Sequence, residues 1–116
     1  MGKQSSISVV IPNYCGQSLL EKYLPYLLSA LNSSKQVSSY ELIIVDDASL
    51  DNSVTFLETF YPNILLLQNE KNVGFSQTIN KGIFAATKNF IFVLNNDMLV
   101  TEGLFDTLLI PFSTKE

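Results

Sequence analysis

The sequence has 116 residues, a length that suits one domain, and 47% of them are hydrophobic, which supplies enough apolar surface for a single core. Eleven acidic residues outnumber seven lysines, the formal net charge is −4, and no basic stripe is present to neutralise the phosphates of a nucleic acid. The absence of histidine excludes Ser-His-Asp and Cys-His mechanisms and histidine-ligated metal sites, and the single cysteine, Cys15, excludes an internal disulfide.

A cytoplasmic location is expected from the same features. No apolar run is long enough to cross a bilayer, and the N-terminal residues lack the layout of a signal peptide. A lone cysteine also fits a reducing compartment. Arginine is absent, so we expect any phosphate bound here to be held by lysine, by backbone N–H groups or by a cation.

The first predicted strand spans residues 8–11 and leads into a segment with the periodicity of a helix. Its leucines recur at spacings of three and four residues, at positions 20, 24, 27, 28 and 31. Pro25 interrupts this pattern, because a proline inside a helix removes one hydrogen bond and crowds the preceding turn. We therefore expect a short helical turn and then a second helix that has Pro25 in its first turn.

The second predicted strand, 42–45, precedes a helix over 52–60 that is stopped by Pro62. The apolar residues on one face of this helix are Val54, Leu57 and Phe60. The third predicted strand, 64–67, precedes a helix over 76–88. The apolar residues on one face of that helix are Ile79, Ile83 and Ala86.

The fourth predicted strand, 90–94, precedes a last helix that runs from 101 to about 109, with Thr101 as its N-cap and an end before Pro111. All four strands are continuous apolar runs, which is typical of strands covered on both faces. Strands and helices alternate throughout. With right-handed crossovers this order predicts a three-layer, doubly wound α/β fold, in which a mainly parallel sheet carries helices on both faces.

Polar residues follow the predicted strands at the edge where open α/β sheets bind ligands. The first strand ends in "PNY", the second in "DDAS" and the fourth in "NND", so that Asp46, Asp47 and Asp97 are expected at one edge. Grouped carboxylates repel one another unless a cation lies between them. Oxygen ligands without histidine or cysteine favour Mg²⁺ or Mn²⁺ over zinc.

Each of these signals has a simpler explanation when it is taken alone. Asp46 and Asp47 are also compatible with a solvated strand end, Gly74 with an ordinary turn, and Asn95 and Asn96 with Asx-turns. The simpler explanations do not predict that all the signals fall on the same edge of the sheet. A nucleotide and metal site at this edge is therefore the favoured interpretation.

Four segments in order carry a family resemblance: "SVVIPNY", "ELIIVDDASLDNSV", "NEKNVGFSQTINKG" and "FIFVLNNDM". Together they resemble the nucleotide-binding half of the inverting family 2 glycosyltransferases, which have the Rossmann-like GT-A fold, and the resemblance extends over residues 7–105. The "LNND" strand end resembles the subgroup of bacterial enzymes that add rhamnose or similar sugars to surface polysaccharides.

The resemblance implies a nucleotide-binding role for residues after the first two strands. Pro12 and Tyr14 are expected to lie against the base and ribose. Asp47, the second acid of "VDDAS", is expected to hydrogen-bond the base, with Asp46 in support. The favoured donors are UDP-sugars or dTDP-sugars, because a uracil or thymine imide suits a carboxylate acceptor.

The resemblance also implies roles for five later residues. Asn72 and Gly74 match the start of a loop that approaches the nucleotide closely, and Asn80 matches the later asparagine of the same motif. Asn96 and Asp97 match the family's metal-binding "DxD" element, so Asp97 is the expected ligand of Mg²⁺ or Mn²⁺. Asn95 and Asn96 depart from the paired acids of that element, so metal binding without nucleotide is expected to be weak and the diphosphate is expected to supply ligands.

The activity implied is transfer of the sugar, with inversion, to a hydroxyl of a polysaccharide, lipid or other acceptor. The family's general base lies on the acceptor-binding half, so the catalytic residue is unknown and is not expected in this chain. We interpret residues 1–116 as a single domain, an N-terminal portion of a longer enzyme that binds the donor alone. A lipid-linked or polysaccharide acceptor would place that enzyme at the inner face of the membrane.

The fourth strand is expected to be a bare apolar edge carrying Phe90 and Phe92, through which the chain associates with itself. Three alternative functions remain open from the sequence. The chain could be a catalytically inactive nucleotide-binding or scaffold domain that keeps the fold. A receiver-type signalling domain would need its acidic pair after the first strand, and a sugar-nucleotide pyrophosphorylase would need a glycine-rich basic loop there.

Overall fold

The computed structural model describes residues 5–113, with side chains through residue 109. Strands and helices alternate along the chain in this order: β1 (Ser5–Asn13), α1 (Gln17–Ser33), β2 (Val37–Asp46), α2 (Ser53–Phe60), β3 (Leu65–Gln68), α3 (Phe75–Ala85), β4 (Phe90–Val93) and α4 (Leu104–Ser113). The four strands form one parallel sheet in the order β3-β2-β1-β4. The predicted doubly wound α/β fold is therefore confirmed.

The two central strands bury side chains on both faces of the sheet. On β1, Ile7 and Val9 belong to the core cluster beneath α1, α2 and α4, whereas Val10 belongs to a smaller cluster with Ile43 and Val45 beneath α3. This double burial explains why the sequences of β1 and β2 are continuous apolar runs rather than alternating ones. It also fixes the register that brings the carboxyl ends of β1 and β2 side by side. The expectation that all four strands are covered on both faces is wrong for β3 and β4, which leave side chains exposed.

The α1 helix is one continuous helix, and the predicted break at Pro25 is wrong. Pro25 is exposed, whereas Leu24 and Leu27 on either side of it are buried in the core. Proline deprives the carbonyl of Glu21, four residues earlier, of its helical partner, and on the exposed face water can take that place. Packing on the buried face therefore keeps the helix continuous. Among the described residues, no helix has both the length and the apolar character needed to cross a membrane.

The α2 helix ends before Pro62 as predicted, but its buried face differs from the predicted one. Leu57 is buried together with Ser53, whereas Phe60 is exposed. The Phe60 ring instead packs on Phe56, with 5.3 Å between the ring centroids.

The predicted buried face of α3 is also wrong. Thr78 and Gly82 are its buried residues, and Ile83 is exposed. A Cβ atom at position 82 would come within 3.0 Å of Val45 Cγ2 and closer still to Val10. Because the helix lies so near the sheet, small residues face the sheet and the larger apolar ones turn outward.

The α4 helix begins at Leu104 rather than near Thr101, and it continues past Pro111 to Ser113. Gly103 has a φ of +90°, which a helix cannot include, so the helix starts after it. One internal proline removes a single hydrogen bond and does not have to end a helix. Both predicted limits of this helix are therefore wrong.

The β4 strand lies at one edge of the described sheet, as predicted. Phe90 and Phe92, however, pack against the main core, and the Phe92 ring stacks on Phe105 at a centroid distance of 5.3 Å. The exposed side chains of β4 are Ile91 and Val93, on the opposite face of the strand. The prediction of an exposed apolar edge holds, but the residues assigned to it were wrong.

Candidate functional site

A cleft of about 390 Å³ lies at the carboxyl ends of β1, β2 and β4, beside the N-terminus of α3. The residues that line it are Pro12, Asn13, Tyr14, Asp47, Asn72, Gly74, Phe75, Thr78, Asn95, Asn96 and Asp97. The structure thus brings together all the site residues predicted from the sequence except two. Asp46 lies buried beneath the cleft, and Asn80 lies elsewhere.

Asp47 organises the loop that leads into α3. Its Oδ1 accepts hydrogen bonds from Asn69 Nδ2 at 2.9 Å and from the backbone N–H of Val73 at 2.8 Å, and its Oδ2 accepts one from the N–H of Gly74 at 3.0 Å. Asn72 Nδ2 also donates to the backbone carbonyl of Asp47, at 3.2 Å. The carboxylate therefore orders the wall of the cleft formed by residues 69–74.

The same hydrogen bonds decide the pKa of Asp47. Burial is the largest influence and raises the pKa, because it disfavours the charged carboxylate. The N–H groups of Val73 and Gly74 and the side chain of Asn69 stabilise the charge and together outweigh burial. The pKa of Asp47 consequently lies below its ordinary value, and the group is ionised at neutral pH.

Thr78 closes this arrangement from the first turn of α3. Its Oγ1 donates to the carbonyl oxygen of Gly74 at 2.6 Å and accepts from Asn69 Nδ2 at 3.1 Å. Gly74 has a φ of +94°, a conformation that suits glycine and that lets the chain turn into the helix. The N–H groups of the first turn of α3 lack helical partners and give this end of the helix a partial positive charge.

Beneath the other wall, four side chains form a row of hydrogen bonds that we call the amide relay: Ser49, Asp46, Asn13 and Asn96. Asp46 Oδ1 accepts from Ser49 Oγ at 2.6 Å and from Asn13 Nδ2 at 3.0 Å. Asn13 Oδ1 in turn accepts from Asn96 Nδ2 at 2.8 Å. The relay joins the ends of β1 and β2 to the segment that follows β4.

Gly16 leaves the space that the amide relay needs. It is buried at the N-terminal end of α1, and its φ of −109° is open to any residue. A Cβ atom there would collide with Asn96 Nδ2 and with Asn13 Oδ1, the two atoms of one hydrogen bond. The requirement for glycine at this position is therefore steric.

Asp97 is the carboxylate at the open side of the cleft, where Asn95 and Asn96 stand beside it. No cluster of three or more His, Cys, Asp or Glu side chains suited to a metal occurs within residues 5–113, as far as their side chains are described. One carboxylate and neighbouring amide oxygens form a hard, oxygen-only donor set. That set fits Mg²⁺ or Mn²⁺ when a diphosphate supplies the remaining ligands.

Two aromatic side chains stand at the rim of the cleft, Tyr14 and Phe75, and both are exposed. The pKa of the Tyr14 phenol is raised, mainly by its electrostatic interaction with the adjacent Cys15 and also by a hydrogen bond with that side chain, by burial and by Asp47. Tyr14 therefore remains a neutral hydrogen-bond donor over the physiological range. Exposed aromatic faces at a cleft suit stacking on a planar ring.

Asn80 lies in a separate groove on α3, next to Gln77 and Lys81. It is two residues beyond Thr78, which turns its side chain by about 200° around the helix, away from the cleft. Lys81 is also directed elsewhere, because its Nζ donates to the carbonyl of Gln68 at 3.1 Å and to Asn69 Oδ1 at 3.0 Å. Among the described residues that line the cleft there is no lysine.

Sequence reasoning gave no role to several residues that shape the site: Asn13, Gly16, Ser49, Asn69 and Thr78. Asn13 was visible in the "PNY" strand end, but its partner Asn96 is 83 residues away. Thr78 carried a local signal, because it lies one turn after Gly74 at the start of a predicted helix.

A family model described as "Glycosyl transferase family 2" matches residues 8–115 of the chain. Among curated relatives, Glycosyltransferase GlyG of Streptococcus pneumoniae is 30% identical over 105 residues, which cover 88% of this chain and 33% of GlyG. Poly(ribitol-phosphate) beta-N-acetylglucosaminyltransferase TarP of Staphylococcus aureus is likewise 30% identical over 105 residues, covering 88% of this chain and 31% of TarP.

Among solved structures, S. aureus TarS in complex with UDP superposes with a TM-score of 0.68 and 27% sequence identity. The match covers 89% of this chain and 31% of that one. The chain thus spans about a third of the length of each of these three proteins.

Proposed function

The chain belongs to glycosyltransferase family 2, and we propose that its cleft binds the nucleotide diphosphate of an activated sugar together with a divalent cation. The observation that carries this proposal is the composition of one cleft. Asp47, Gly74, Asn96 and Asp97 come from three separate segments and meet at the carboxyl edge of a parallel sheet, where such folds bind ligands.

The two walls of the cleft suit the two ends of a nucleotide diphosphate. Tyr14 and Pro12 offer apolar surface to the base and ribose, and the loop held by Asp47 forms the facing wall. The resemblance assigns Asp47 a hydrogen bond to the base, and its Oδ2 keeps one acceptor position for it beside the bond from Gly74. A uridine nucleotide is the favoured donor, with thymidine second, and the UDP complex of TarS supports this choice.

The diphosphate then lies toward Asn96 and Asp97. The chain has no arginine, and the part of it that the structure describes places no lysine at the cleft. We therefore assign the neutralisation of the diphosphate to a cation and to backbone N–H groups. Mg²⁺ or Mn²⁺ held by Asp97 would stabilise the negative charge that grows on the leaving diphosphate. The resemblance also assigns Asn80 to the nucleotide, but its position outside the cleft favours a role in the surface of α3.

The complete reaction requires residues beyond this portion of the family. We propose transfer of the sugar with inversion to a hydroxyl of a polysaccharide or lipid-linked acceptor, with the general base on an acceptor-binding half. TarP is named for transfer to poly(ribitol-phosphate), which supports a polymer acceptor. This chain alone is expected to bind the donor without turnover. The cytoplasm or the inner face of the membrane remains the expected location, and rhamnose remains the expected sugar class.

We also propose that the isolated chain associates with a second copy of itself through β4. The strand is at the edge of the described sheet, and Ile91 and Val93 are exposed beside it. Edge strands with apolar side chains are templates for pairing with another chain.

The donor site is tested by calorimetric titration of UDP, dTDP and GDP, each with Mn²⁺ and with EDTA. We expect UDP to bind with Mn²⁺ and the affinity to fall at least about tenfold in EDTA or in Asp97→Ala, because the charge of the diphosphate then lacks its counterion. Glu58→Ala is the matched control, since it removes an exposed carboxylate on α2, far from the cleft in the fold.

Three results would contradict parts of the proposal. An equal affinity for UDP in Mn²⁺ and in EDTA would contradict the role of the cation in nucleotide binding. An equal affinity of Asp97→Ala and Glu58→Ala for UDP in Mn²⁺ would contradict the assignment of Asp97 as a ligand of the cation. No binding by any of the three nucleotides would contradict a donor site in this chain.

A further inference from the structure

The amide relay has a defined direction of donors and acceptors. Both oxygens of Asp46 accept: Oδ1 from Ser49 Oγ and Asn13 Nδ2, and Oδ2 from the backbone N–H of Ser49 at 2.9 Å. Asn13 is only 1% exposed, so water does not substitute for its partners. Every bond in the relay therefore depends on the one before it.

This direction leaves one arrangement of the two amides. Asn13 must turn its NH₂ group to Asp46, because a carboxylate that is already an acceptor offers no proton. Asn13 Oδ1 then faces Asn96, and Asn96 Nδ2 donates a hydrogen bond to it at 2.8 Å. Amide oxygens and nitrogens are assigned from such networks, and here the carboxylate at the end of the row fixes both.

We propose that the amide relay sets the orientation of Asn96, so that its side-chain oxygen and not its nitrogen is available to the cleft beside Asp97. Asp46 and Asn13 are positioning residues in this scheme, and neither has to touch a ligand. The relay also gives a reason for an amide rather than a carboxylate at residue 96. A carboxylate at 96 would set an acceptor against the buried acceptor Asn13 Oδ1.

The orientation matters for the cation, and this step rests on the proposed function. An amide oxygen is a good ligand of Mg²⁺ or Mn²⁺, whereas an amide NH₂ group is not. With the relay intact, Asn96 can add a neutral oxygen to the carboxylate of Asp97 and the oxygens of the diphosphate. With the relay reversed, it would present a donor that repels the cation.

The first test compares Asn96→Asp with Asn95→Asp in urea unfolding, without nucleotide. Each variant adds one carboxylate at the same edge. The side chain of Asn95 is exposed and makes no hydrogen bond within the described residues, so Asn95→Asp measures the charge alone. We expect the unfolding equilibrium constant to rise at least about tenfold more in Asn96→Asp, because a buried acceptor loses its donor. Equal effects of the two variants would overturn the proposal.

The second test repeats both variants in an Asp46→Asn background. There the new amide can donate to Asn13, Asn13 can turn over, and its NH₂ group can then face a carboxylate at position 96. We expect the rise in the unfolding equilibrium constant caused by Asn96→Asp to be at least about tenfold smaller in this background. This coupling is expected although residues 46 and 96 share no hydrogen bond. Asn95→Asp corrects for the charge that Asp46→Asn removes.

This double-mutant cycle decides the orientation even if Asn96→Asp alone does not fold. Recovery of folding in the Asp46→Asn, Asn96→Asp double variant would support the proposal, and no recovery would overturn it. Equal relief of Asn96→Asp and Asn95→Asp would also overturn it, because charge alone would then explain the coupling.

Binding supplies a separate readout. We expect Asp46→Asn to fold and to lose at least about tenfold in Mn²⁺-dependent affinity for UDP, because the reversed relay turns the Asn96 nitrogen to the cleft. A folded Asp46→Asn variant with unchanged Mn²⁺-dependent affinity would overturn the link to the cation. If the unaltered chain binds no nucleotide, the proposed function fails, and the unfolding cycle still decides the orientation of the amides.

Discussion

Asp47 holds the loop of residues 69–74 in place through hydrogen bonds to its carboxylate. Three donors, two of them backbone N–H groups of residues 73 and 74, converge on its two oxygens. A carboxylate held in this way preforms the wall of the cleft before a ligand arrives. Preforming reduces the entropy that nucleotide binding must overcome, because the loop is already ordered.

The depressed pKa of Asp47 gives its contribution a pH dependence of known sign. A carboxyl group whose pKa is lower in the folded state stabilises the fold above its unfolded pKa of about 4, and this stabilisation is lost as pH falls through the folded pKa. We expect Asp47→Asn to lower the free energy of unfolding by about 1–3 kcal/mol at pH 7. The difference from the unaltered chain should shrink steadily as the pH falls below about 4.

Urea unfolding of both chains between neutral and acidic pH measures this difference. Glu58→Gln serves as the control, because it removes an exposed carboxylate of α2 without touching the loop. A difference between Asp47→Asn and the unaltered chain that stays constant across the pH range would mean that the charge of Asp47 is not what holds the loop.

The α1 helix shows how packing overrides a local signal. Pro25 is a strong helix breaker by intrinsic preference, yet the helix runs unbroken from Gln17 to Ser33. The five buried residues of this helix fix it on the core from both sides of the proline: Leu20, Leu24, Leu27, Ala30 and Leu31. The cost of the proline remains in the folded state, because the missing hydrogen bond is not recovered within the helix.

We therefore expect Pro25→Ala to stabilise the chain, by up to about 3 kcal/mol. The substitution restores the N–H donor to the carbonyl of Glu21 on the exposed face and leaves the buried leucines untouched. Ser29→Ala, one turn later on the exposed side of the same helix, controls for alanine's own preference for helix, although it also removes a hydrogen bond to Glu102. Chemical unfolding gives the comparison, and a loss of stability in Pro25→Ala would show that the packing of α1 requires a bend.

The elements that could be predicted from the sequence are those specified by a single pattern. Four continuous apolar runs predicted all four strands, although only β1 and β2 are buried on both faces and β4 leaves Ile91 and Val93 exposed. The buried face of α3 could not be predicted in this way. Its close approach to Val10 and Val45 selects Gly82 and Thr78 for the sheet side, and periodicity assigns larger apolar residues there instead.

The site shows the same division. Strand ends placed Asp47, Asn96 and Asp97 at one edge correctly, because the parallel topology alone brings those ends together. The hydrogen bonds among them could not be predicted, since Asn13 and Asn96 are 83 residues apart and either could have faced solvent. Asn80 was assigned from the motif, and only the rotation of α3 shows that it lies outside the cleft.

Within the described residues, the sheet of the molecule has two edge strands, β3 and β4. On the face where α3 packs over β1 and β2, the outer strand β4 leaves Ile91 and Val93 exposed. These exposed apolar side chains make β4 the edge at which pairing with another chain is expected.

In the isolated chain this edge is expected to be covered by a second copy, and a matched pair of variants can test it. Ile91 on β4 and Leu65 on β3 are each 41% exposed and lie at opposite edges of the sheet. We expect the average mass of the unaltered chain to rise with concentration in sedimentation velocity. Ile91→Lys should abolish this rise, because a charge on an edge strand opposes pairing, whereas Leu65→Lys should not. Loss of association in both variants would show that an added lysine opposes association at either edge and would not support β4 in particular. An unaltered chain that is monomeric at every concentration would contradict pairing through β4.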